Sequence, residues 1–310
     1  MKTSLVTGGA GFIGSWLCDD LIEKGHKVIC VDNLITARKE NVKYLKKKGT
    51  YFINHDISKP LSMNGQIDYI FHLASPASPK DFSKIPVEIM LANSLGTLNA
   101  LEIAKNKNSR FLLASTSEIY GNPLKHPQTE DYYGNVNPVG PRACYDESKR
   151  FAEALTMSYS KKHKINSVIV RIFNTYGPRM RKDDGRAIPS FITNALGNKP
   201  IIIFGYGNQT RSFCYVTDLI NGIVKAAFSK YQGEIFNLGN PTEMKISRVA
   251  SIIIKLTNSN SKIIHKKIMK DDPVRRKPSI TKAKRMLKWQ PEVKFEEGIK
   301  ETIEWFKIFN

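Results

Sequence analysis

The chain has 310 residues, of which 41% are hydrophobic and 25% are charged, a composition typical of a globular protein with one large or two smaller domains. No run approaches the roughly 18–20 consecutive apolar residues of a membrane-spanning helix. The N-terminus leads directly into an apolar strand and a glycine turn, which leaves no room for a signal peptide. We therefore expect a cytoplasmic protein that does not bind membranes.

The cysteines and histidines predict neither a disulfide framework nor a metal site. Cys18, Cys30, Cys144 and Cys214 are scattered without a Cys-x-x-Cys pair, which is typical of reduced thiols in a cytosolic protein. The six histidines show no metal-ligand spacing, so we expect no bound metal.

The formal charge of +20 is the unusual feature of the composition, because it could indicate an anionic partner. The basic residues are nevertheless spread out in short runs, at 46–48, 161–162, 266–267 and 275–277. No DNA or RNA recognition motif accompanies them. We interpret most of this charge as solvated lysine faces and expect no specific nucleic-acid partner.

Apolar segments alternate with segments of helical spacing over about the first 170 residues. Strands are predicted at 2–7, 27–32, 51–55, 69–74, 110–115 and 167–173, and helices at 11–24, 86–106 and 148–162. This alternation predicts an α/β fold, with a Rossmann-type, doubly wound parallel sheet that has helices on both faces.

The pattern changes after Tyr176, where residues 177–186 are polar and loop-like. A helix is predicted at 189–196, a strand at 201–204 and an amphipathic helix at 295–309, while residues 262–278 are basic. We interpret residues 1–175 as the Rossmann domain and 176–310 as a smaller α/β lid. Residues 213–238 are expected to return to the first domain, so that the two are partly interleaved.

A glycine-rich turn separates the first strand from the first helix. Gly8, Gly11 and Gly14 form a Gly-x-x-Gly-x-x-Gly pattern that also contains Phe12 and Ile13. Glycine allows a tight turn and close approach of a pyrophosphate to the backbone, and the helix N-terminus supplies N–H groups and partial positive charge. Because this pattern has a strand before it and a helix after it, it predicts a dinucleotide site.

Asp32 ends the second predicted strand, 18 residues after Gly14. A carboxylate at this position can accept hydrogen bonds from the adenosine ribose and would repel a 2′-phosphate. The expected cofactor is therefore NAD rather than NADP. Asp56 and Ile57 follow the third strand and could flank the adenine, and Leu73 and Ser75 follow the fourth at the edge where ligands bind in such sheets.

Tyr145 and Lys149 are four residues apart, so on a helix their side chains share one face. A free phenol is a poor base because its pKa is about 10, but a nearby cation favours the phenolate and lowers that pKa. Tyr145 is thus a candidate general base for a sugar or alcohol hydroxyl. By itself the pattern also fits an ordinary surface Tyr and Lys.

Thr116, Ser117 and Glu118 follow a predicted strand, so they too are expected at the carboxyl edge of the sheet. A hydroxyl there can bond to the substrate oxygen that Tyr145 deprotonates, and Lys149 would also reach the nicotinamide ribose. The glycine turn, the Ser/Thr edge and the Tyr-Lys helix, in this order, indicate a hydride-transfer site.

At this point the chain resembles the extended short-chain dehydrogenase/reductases that act on nucleotide sugars, over nearly all of its length. Within that group it most resembles the UDP-glucuronate decarboxylases. The stretches that carry the resemblance are 32–36 (DNLIT), 72–79 (HLASPASP), 113–121 (LASTSEIYG), 126–128 (HPQ), 140–150 (GPRACYDESKR), 171–180 (RIFNTYGPRM), 184–186 (DGR) and 209–213 (QTRSF). The glycine and Tyr-Lys motifs occur throughout the superfamily, whereas ASPASP and GPRACYDESKR are much more specific.

The resemblance implies an NAD-dependent decarboxylase that converts UDP-glucuronate to UDP-xylose through a 4-keto intermediate. It also implies a homodimer in which the Tyr-Lys helix packs across a two-fold interface. Residues 1–175 would then be the NAD-binding domain and 176–310 the nucleotide-sugar-binding domain.

Individual residues take roles from the positions that match the family. The implied catalytic residues are Tyr145, Lys149, Thr116, Glu118, Ser117 and Arg276. The expected cofactor contacts are Gly8, Gly11, Phe12, Ile13, Gly14, Asp32, Asn33, Thr36, Asp56, Ile57, Leu73, Ser75, Ala114, Tyr145, Lys149 and Thr175. The expected substrate contacts are Asn174, Arg186, Arg211 and Arg276, and no metal is implied.

Ser117 favours a decarboxylase over the related 4,6-dehydratases, which carry Asp at this position to expel a C6 hydroxyl. An Asp would be repelled by the C6 carboxylate of glucuronate, whereas Ser117 can hydrogen-bond it. Glu118 is then an acid/base or positioning group, although Ser-x-Glu also fits simple helix capping. Arg276, in the family's Arg-Lys-Pro segment, would contact the substrate carboxylate or help to reprotonate C5, since a guanidinium donates two bonds at once.

Two departures from the family pattern bear on this interpretation. Ala37 replaces a usual glycine, which could shift the cofactor loop slightly. Ser279 replaces an Asp that is usual in the xylose-forming members, and leaves open a decarboxylase that stops at UDP-4-keto-pentose. The sequence is also compatible with an NAD-dependent 4,6-dehydratase or 4-epimerase, and with a non-catalytic Rossmann-fold binding protein.

Overall fold

The computed structural model describes residues 1–267 and 275–309. Within these residues the strands, in chain order, are β1 (Thr3–Thr7), β2 (Lys27–Asp32), β3 (Tyr51–Asn54), β4 (Tyr69–His72), β5 (Arg110–Thr116), β6 (Ser167–Ile172), β7 (Thr175–Tyr176), β8 (Ile201–Phe204), β9 (Thr210–Ser212), β10 (Cys214–Tyr215), β11 (Glu234–Leu238), β12 (Glu243–Lys245), β13 (Ile263–Lys266) and β14 (Arg275–Arg276).

The helices, again in chain order, connect these strands. They are α1 (Phe12–Glu23), α2 (Lys39–Lys47), α3 (Pro79–Phe82), α4 (Pro86–Asn93), α5 (Leu95–Lys107), α6 (Ala143–His163), α7 (Ala187–Leu196), α8 (Val216–Phe228), α9 (Ile246–Thr257), α10 (Thr281–Leu287) and α11 (Phe295–Phe309), with a 3₁₀ helix at Ser117–Tyr120.

Seven strands form the central sheet in the order β11-β6-β5-β4-β1-β2-β3, and every neighbouring pair is parallel. The strand order reverses at β1, which lies between β2 and β4. A crevice opens at such a reversal, beyond the carboxyl ends of the strands. The predicted Rossmann-type sheet is thus confirmed.

Helices cover both faces of the sheet. Alternate residues of each strand point to opposite sides, so each face contributes side chains to its own core cluster. Val6 belongs to the core cluster that contains Leu17 of α1 and Leu219 of α8. Its neighbour Leu5 belongs to the opposite cluster, together with Leu101 of α5. This arrangement makes the fold doubly wound, as the sequence predicts.

The shorter strands belong mainly to the second half of the chain. β8 pairs with β13, and β9 lies between β12 and β14. α7 packs against α9, and α11 contacts both of these helices. Residues 213–238, by contrast, contribute α8 and β11 to the central sheet and its cover.

Three sequence predictions differ in detail from the structure. The helix predicted at 86–106 is two helices, because the chain turns at Ser94, whose hydroxyl donates to the carbonyl of Met90. The helix predicted at 148–162 begins at Ala143, so that Tyr145 lies in its first turn. The sequence did not predict the helices α2 and α9. It also missed most strands of two to four residues in the second half, since strands this short carry little periodicity.

Among the described residues, none of the helices is long and apolar enough to cross a membrane. The same part of the chain contains no cluster of His, Cys, Asp or Glu suited to a metal ion. All four cysteines are free thiols, and three of them are buried.

Candidate active site

A cavity of about 460 Å³ lies at the carboxyl edge of the central sheet, where the strand order reverses. Every residue that the sequence singled out for catalysis, cofactor contact or substrate contact lines this cavity. Residues from the ends of β1, β2, β4, β5 and β6 meet there with Arg186, Arg211 and Arg276 from the second half of the chain. One cavity therefore brings the predicted groups together.

The glycine turn can be built only from glycines at two of its positions. Gly8 has φ +69°, and a Cβ there would lie 2.7 Å from the backbone nitrogen of Ala74. A Cβ on Gly14 would lie 2.1 Å from the carbonyl oxygen of Gly8. The bare backbone places the N-terminal residues of α1 at the cavity, and a helix N-terminus supplies the free amides that suit a pyrophosphate.

Asp32 joins the end of β2 to this turn. Its Oδ2 accepts a hydrogen bond from the Ala10 amide at 3.1 Å, and its Oδ1 accepts one from the Leu34 amide at 2.8 Å. Burial raises the pKa of Asp32, while the backbone bonds oppose that shift. The carboxylate is thus held at the rim of the cavity, where it can still accept bonds from ribose hydroxyls.

The loop after Asp32 contains Asn33, Thr36 and Ala37, all of which line the cavity. Leu34 has the left-handed conformation in this loop, with φ 61°, whereas Ala37 lies outside that region. The methyl group of Ala37 therefore adds no backbone strain. The loop is braced by Arg38, whose guanidinium lies 4.7 Å from the centre of the Trp305 ring on α11.

The remaining predicted cofactor residues lie along the same edge. Ile57 accepts a bond from the Asn99 side chain at 2.8 Å, which fixes the turn after β3 that also carries Asp56. Leu73 donates to the Thr7 carbonyl at 3.1 Å, so the segment with Ser75 leaves β4 beside the glycine turn.

Tyr145 is buried, and its ring stacks on that of Phe82 with the ring centres 5.1 Å apart. Burial raises the pKa of Tyr145 to about 12, while a hydrogen bond with Thr116 acts in the opposite direction. Lys149 is not among the groups that shift this pKa most, and removal of the phenol from water raises it overall.

Lys149 is buried on the same helical face and donates to the carbonyl of Ala114 at 2.9 Å. Burial lowers the pKa of Lys149 to about 7, and the carboxylate of Glu153 acts in the opposite direction. Tyr145 and Lys149 both lie in surroundings that disfavour their charged forms. Positive charge placed beside Tyr145 would therefore favour loss of its proton.

Glu118 is the centre of an ion-pair cluster beyond Tyr145. Its Oε1 accepts from Arg276 and its Oε2 from Arg142. Burial disfavours the Glu118 anion, but Arg142 and Arg276 outweigh it and hold the pKa of Glu118 at about 2. Glu118 is consequently a carboxylate at neutral pH, suited to orienting guanidinium groups rather than to donating a proton.

Thr116 and Ser117 lie between this cluster and Tyr145. The Thr116 hydroxyl accepts from the Glu118 amide at 3.2 Å and begins the 3₁₀ helix. Ser117 is buried and lines the cavity. The Thr116 hydroxyl, which hydrogen-bonds Tyr145, therefore adjoins the position where a group bonded to Tyr145 would lie.

Arg276 is held on both sides. Its Nη2 donates to the Gly121 carbonyl at 2.8 Å, and β14 places it opposite Arg211 of β9. The segment after Arg276 is fixed by Gln128, whose side-chain oxygen accepts from the Lys277 amide at 2.8 Å.

Arg186 forms a short ion pair with Asp184, from Nε to Oδ1 at 2.5 Å, and its positive charge lowers the pKa of that carboxyl against the effect of burial. Asn174 follows β6, and its backbone carbonyl accepts a hydrogen bond from the Cys214 amide at 2.9 Å. Thr175 bonds to the Phe173 carbonyl at 2.9 Å. These residues line the same cavity.

Sequence reasoning missed Arg142, Phe82 and Arg38, although all three line the cavity. Arg142 lies three residues before Tyr145 in the most specific motif, so helical spacing could have found it. Phe82 and Arg38 carried no comparable signal, since each meets its partner through the tertiary fold.

Comparison with known proteins agrees with this geometry. The sequence matches the NAD dependent epimerase/dehydratase family over residues 4–239. UDP-glucuronic acid decarboxylase 1 of Xenopus tropicalis is 48% identical over 307 residues, which cover 99% of this chain and 72% of that protein.

Two solved structures are similar over the whole chain. The UDP-glucose 4-epimerase of Thermotoga maritima, solved with UDP-glucose, has a TM-score of 0.91 and 29% identity, with 99% of both chains covered. The UDP-glucuronic acid 4-epimerase of Bacillus cereus, solved with UDP-glucuronic acid and NAD, has a TM-score of 0.88 and 30% identity, with 99% of this chain and all of that chain covered. The resemblance predicted from the motifs is thereby confirmed, and the chain belongs to the NAD dependent epimerase/dehydratase family of extended short-chain dehydrogenase/reductases.

Proposed function

We propose that this chain catalyses the NAD-dependent decarboxylation of UDP-glucuronate. The observation that carries the proposal is that one cavity contains both a candidate site for sugar oxidation and a cationic cluster suited to a carboxylate. Tyr145 and Lys149 form an oxidation site, and Arg142 and Arg276 form a cationic cluster around Glu118. Similarity to UDP-glucuronic acid decarboxylases over nearly the whole chain supports the same activity.

The glycine turn and Asp32 fit NAD. The backbone around Gly8 and Gly14 forms a cradle that a Cβ would fill, and the N-terminus of α1 suits a diphosphate. Asp32 would hold the adenosine ribose, and its negative charge would exclude a 2′-phosphate. When bound beside Tyr145, NAD would take a hydride from the sugar and later return it.

The nucleotide sugar would enter from the second half of the chain. Arg211 and Arg186 would neutralise its diphosphate, and Asn174 would hydrogen-bond it from the end of β6. Arg186 also lies close enough to Tyr145 to stabilise its phenolate. This arrangement would direct the sugar ring toward Tyr145.

Oxidation at C4 of the sugar requires loss of the hydroxyl proton together with a hydride. We assign the proton to the Tyr145 oxygen, with Thr116 bonded to the reacting oxygen and Lys149 supplying positive charge to the phenolate. The high pKa of Tyr145 makes the Lys149 charge and the charge of the oxidised cofactor necessary, because each lowers the cost of an anion there.

The oxidised sugar is a β-keto acid, since the C4 ketone is two carbons from the C6 carboxylate. The C5–C6 bond breaks, carbon dioxide leaves, and the electron pair moves into the C4 carbonyl as an enolate. Ser117 would hydrogen-bond the departing carboxylate, and Glu118 would keep the Arg142 and Arg276 guanidiniums oriented around it. Protonation of C5 then gives the 4-keto-pentose.

We propose that reduction of this ketone completes the reaction and gives UDP-xylose. Ser279, the residue that departs from the xylose-forming pattern, does not line the cavity. Its amide bonds to the Gln128 carbonyl at 2.7 Å and supports the segment after Arg276. The substitution therefore leaves the composition of the reaction site unchanged.

A 4-epimerase is the second candidate, because solved structures of similar fold include 4-epimerases of nucleotide sugars. It would use the same Tyr145, Lys149 and Thr116 for oxidation. A 4,6-dehydratase is less compatible with Ser117, and a non-catalytic protein would not need the Tyr145–Thr116 contact in the cavity.

We also propose a homodimer formed through α4 and α6. Several exposed apolar side chains lie on these helices and at the start of α5: Val87 (60% exposed), Met90 (46%), Leu95 (46%) and Phe151 (51%). Apolar side chains clustered on a protein surface in this way indicate an interface. Light scattering should give twice the mass of one chain, and Phe151→Asp should give the monomer.

The cysteines bear on the compartment. All four are free thiols and three are buried, which supports a reducing compartment such as the cytoplasm.

The deciding experiment incubates the protein with NAD and UDP-glucuronate labelled with heavy carbon at C6. Release of labelled carbon dioxide, with UDP-xylose in the mass spectrum, is expected. Interconversion of UDP-glucuronate with its C4 epimer and no labelled carbon dioxide would support the 4-epimerase instead. Accumulation of a 4-keto-pentose with stoichiometric NADH would show that the final reduction does not occur.

A further inference from the structure

The cationic end of the cavity contains a second carboxyl group behind Glu118. The guanidinium of Arg142 lies between the two: its Nη2 pairs with Glu118, and its Nε is 3.7 Å from Oδ2 of Asp146. Arg142 lines the cavity, whereas Asp146 is 5% exposed and lies outside the lining. Asp146 therefore reaches a bound molecule through its neighbours, and Arg142 is the cavity-lining cation with which it is paired.

The surroundings of Asp146 make its protonation state adjustable. Its Oδ1 is buried and accepts no hydrogen bond from the residues that the structure describes. A carboxylate oxygen buried without a donor is costly, and protonation relieves that cost. The N-terminal turn of α6 favours the anion slightly, whereas burial beside Glu118 opposes it.

The charged groups around Asp146 come from several elements. The charges that act on Asp146 are Glu118 on the 3₁₀ helix, Arg276 on β14, and Arg142 and Glu147 at the start of α6. Of the elements packed against α6, α4 carries Glu88 in its first turn, and Asp81 of α3, which packs on α4, is paired with Arg181. The nearest charged contact of Asp146 is thus Arg142.

We propose that Asp146 is a positioning residue which, through Arg142, sets the net charge that the cavity offers to the carboxylate of its substrate. The inference rests on the proposed function. When Asp146 is neutral, Glu118, Arg142 and Arg276 carry one net positive charge, which a substrate carboxylate can balance. When Asp146 is ionised, these four groups are neutral together and offer a substrate carboxylate no excess charge, while Arg211, the next cation, is assigned to the diphosphate.

The titration of Asp146 supports this assignment. Burial and the adjacent Glu118 raise the pKa of Asp146 to about 7, and Arg142 and Arg276 act in the opposite direction. The neutral form is present below that pH and the anion above it. Affinity for a carboxylate-bearing substrate should therefore fall as the pH rises through about 7, whereas affinity for a neutral sugar should not.

The test compares UDP-glucuronate with UDP-glucose, which lacks the carboxylate. Dissociation constants for both, and KM for UDP-glucuronate, are measured from about pH 6 to about pH 8.5 on the wild type and on Asp146→Asn. For the wild type, KM and Kd for UDP-glucuronate should rise about tenfold, since one charge of the cluster is lost, while Kd for UDP-glucose stays constant. Asp146→Asn, which is always neutral, should keep the low values throughout.

Two further variants separate position from charge. Asp146→Ala also removes the contact to Arg142, so kcat should fall about tenfold or more, and Asp146→Asn should restore it. Glu147→Gln is the matched control, because Glu147 is the adjacent carboxylate and is paired with Arg150 at 3.4 Å instead of with Arg142. This control should keep the pH profile of the wild type.

A wild-type Kd for UDP-glucuronate that does not change with pH, or that changes equally for UDP-glucose, overturns the inference. So does an Asp146→Asn profile that matches the wild type. Lys149 loses its charge in the same pH range, so the decisive result is the difference between the wild type and Asp146→Asn, or Asp146→Ala if the Asn variant does not fold. Failure of the proposed function looks different: no carbon dioxide is released, while the pH dependence of binding can still be read from the dissociation constants.

Discussion

The carboxylate of Glu118 and the guanidinium of Arg276 form a buried ion pair, although 158 positions separate them in the chain. Arg276 also donates to the Gly121 carbonyl at 2.8 Å, so its guanidinium is fixed on the turn that carries Glu118. A short strand from the far end of the sequence thus completes the end of the cavity that faces the proposed substrate carboxylate.

Arg276→Ala should lower kcat/KM for UDP-glucuronate by about a hundredfold, because a buried, charge-assisted contact to the carboxylate end is lost. Affinity for UDP-glucose should change by less than about threefold. Steady-state kinetics and calorimetric titration measure the two quantities. The matched control is Arg275→Ala, whose side chain is 59% exposed, and equal losses in both variants would contradict the assignment.

Tyr145→Phe should lower kcat by about 10²–10⁴-fold, because it removes the group that takes the C4 proton. Binding of NAD and UDP-glucuronate should persist, since the ring still stacks on Phe82. Single-turnover formation of NADH gives the measurement. Tyr133→Phe, at a tyrosine that is 87% exposed, serves as the control. Undiminished turnover by Tyr145→Phe would remove Tyr145 from its proposed role.

Lys149→Met should stabilise the fold while abolishing turnover. Burial lowers the pKa of Lys149 from 10.5 to about 7. Below about pH 7 the folded protein therefore carries a buried ammonium. Water solvates this group better in the unfolded chain, so its charge destabilises the folded state. As the pH rises from 7 toward 10.5, the folded state has lost this proton and the unfolded state still holds it, so wild-type stability rises relative to the variant.

At pH 6 the variant should therefore be more stable by up to about 5 kcal/mol, and the difference should shrink by about 1.4 kcal/mol per pH unit above pH 7. Urea denaturation of both proteins at several pH values tests this. Lys161→Met, at an exposed lysine of the same helix, should show no such pH-dependent difference. A difference that grows with pH would mean that Lys149 is not desolvated as the structure indicates.

Gly14→Ala should weaken NAD binding by at least about tenfold, because its Cβ would lie 2.1 Å from the Gly8 carbonyl oxygen and would force the turn apart. Titration with NAD is the measurement, with circular dichroism to check the fold. At Gly197 an added Cβ meets nothing closer than 3.5 Å, so Gly197→Ala should bind NAD normally. Equal NAD affinity in the two variants would contradict the proposed cofactor cradle.

Much of the fold could be predicted from local pattern. The parallel sheet follows from strands that alternate with helices, and the position of the cavity follows from the glycine turn and the strand ends. The break at Ser94 and the short strands β9 and β14 could not be predicted in the same way, because two or three residues carry no readable period.

The sequence by itself determined the chemistry of the parts: the glycines that bring backbone amides to one edge, Asp32 at the end of β2, and Tyr145 four residues from Lys149 on one helical face. Spacing is enough for these features because each depends on neighbours within one turn or one strand. Only the tertiary structure decided the protonation states of the side chains in the cavity. The pKa of Tyr145 rises to about 12 and that of Glu118 falls to about 2, because burial and contacts with Arg142 and Arg276 depend on segments that meet only in the folded chain.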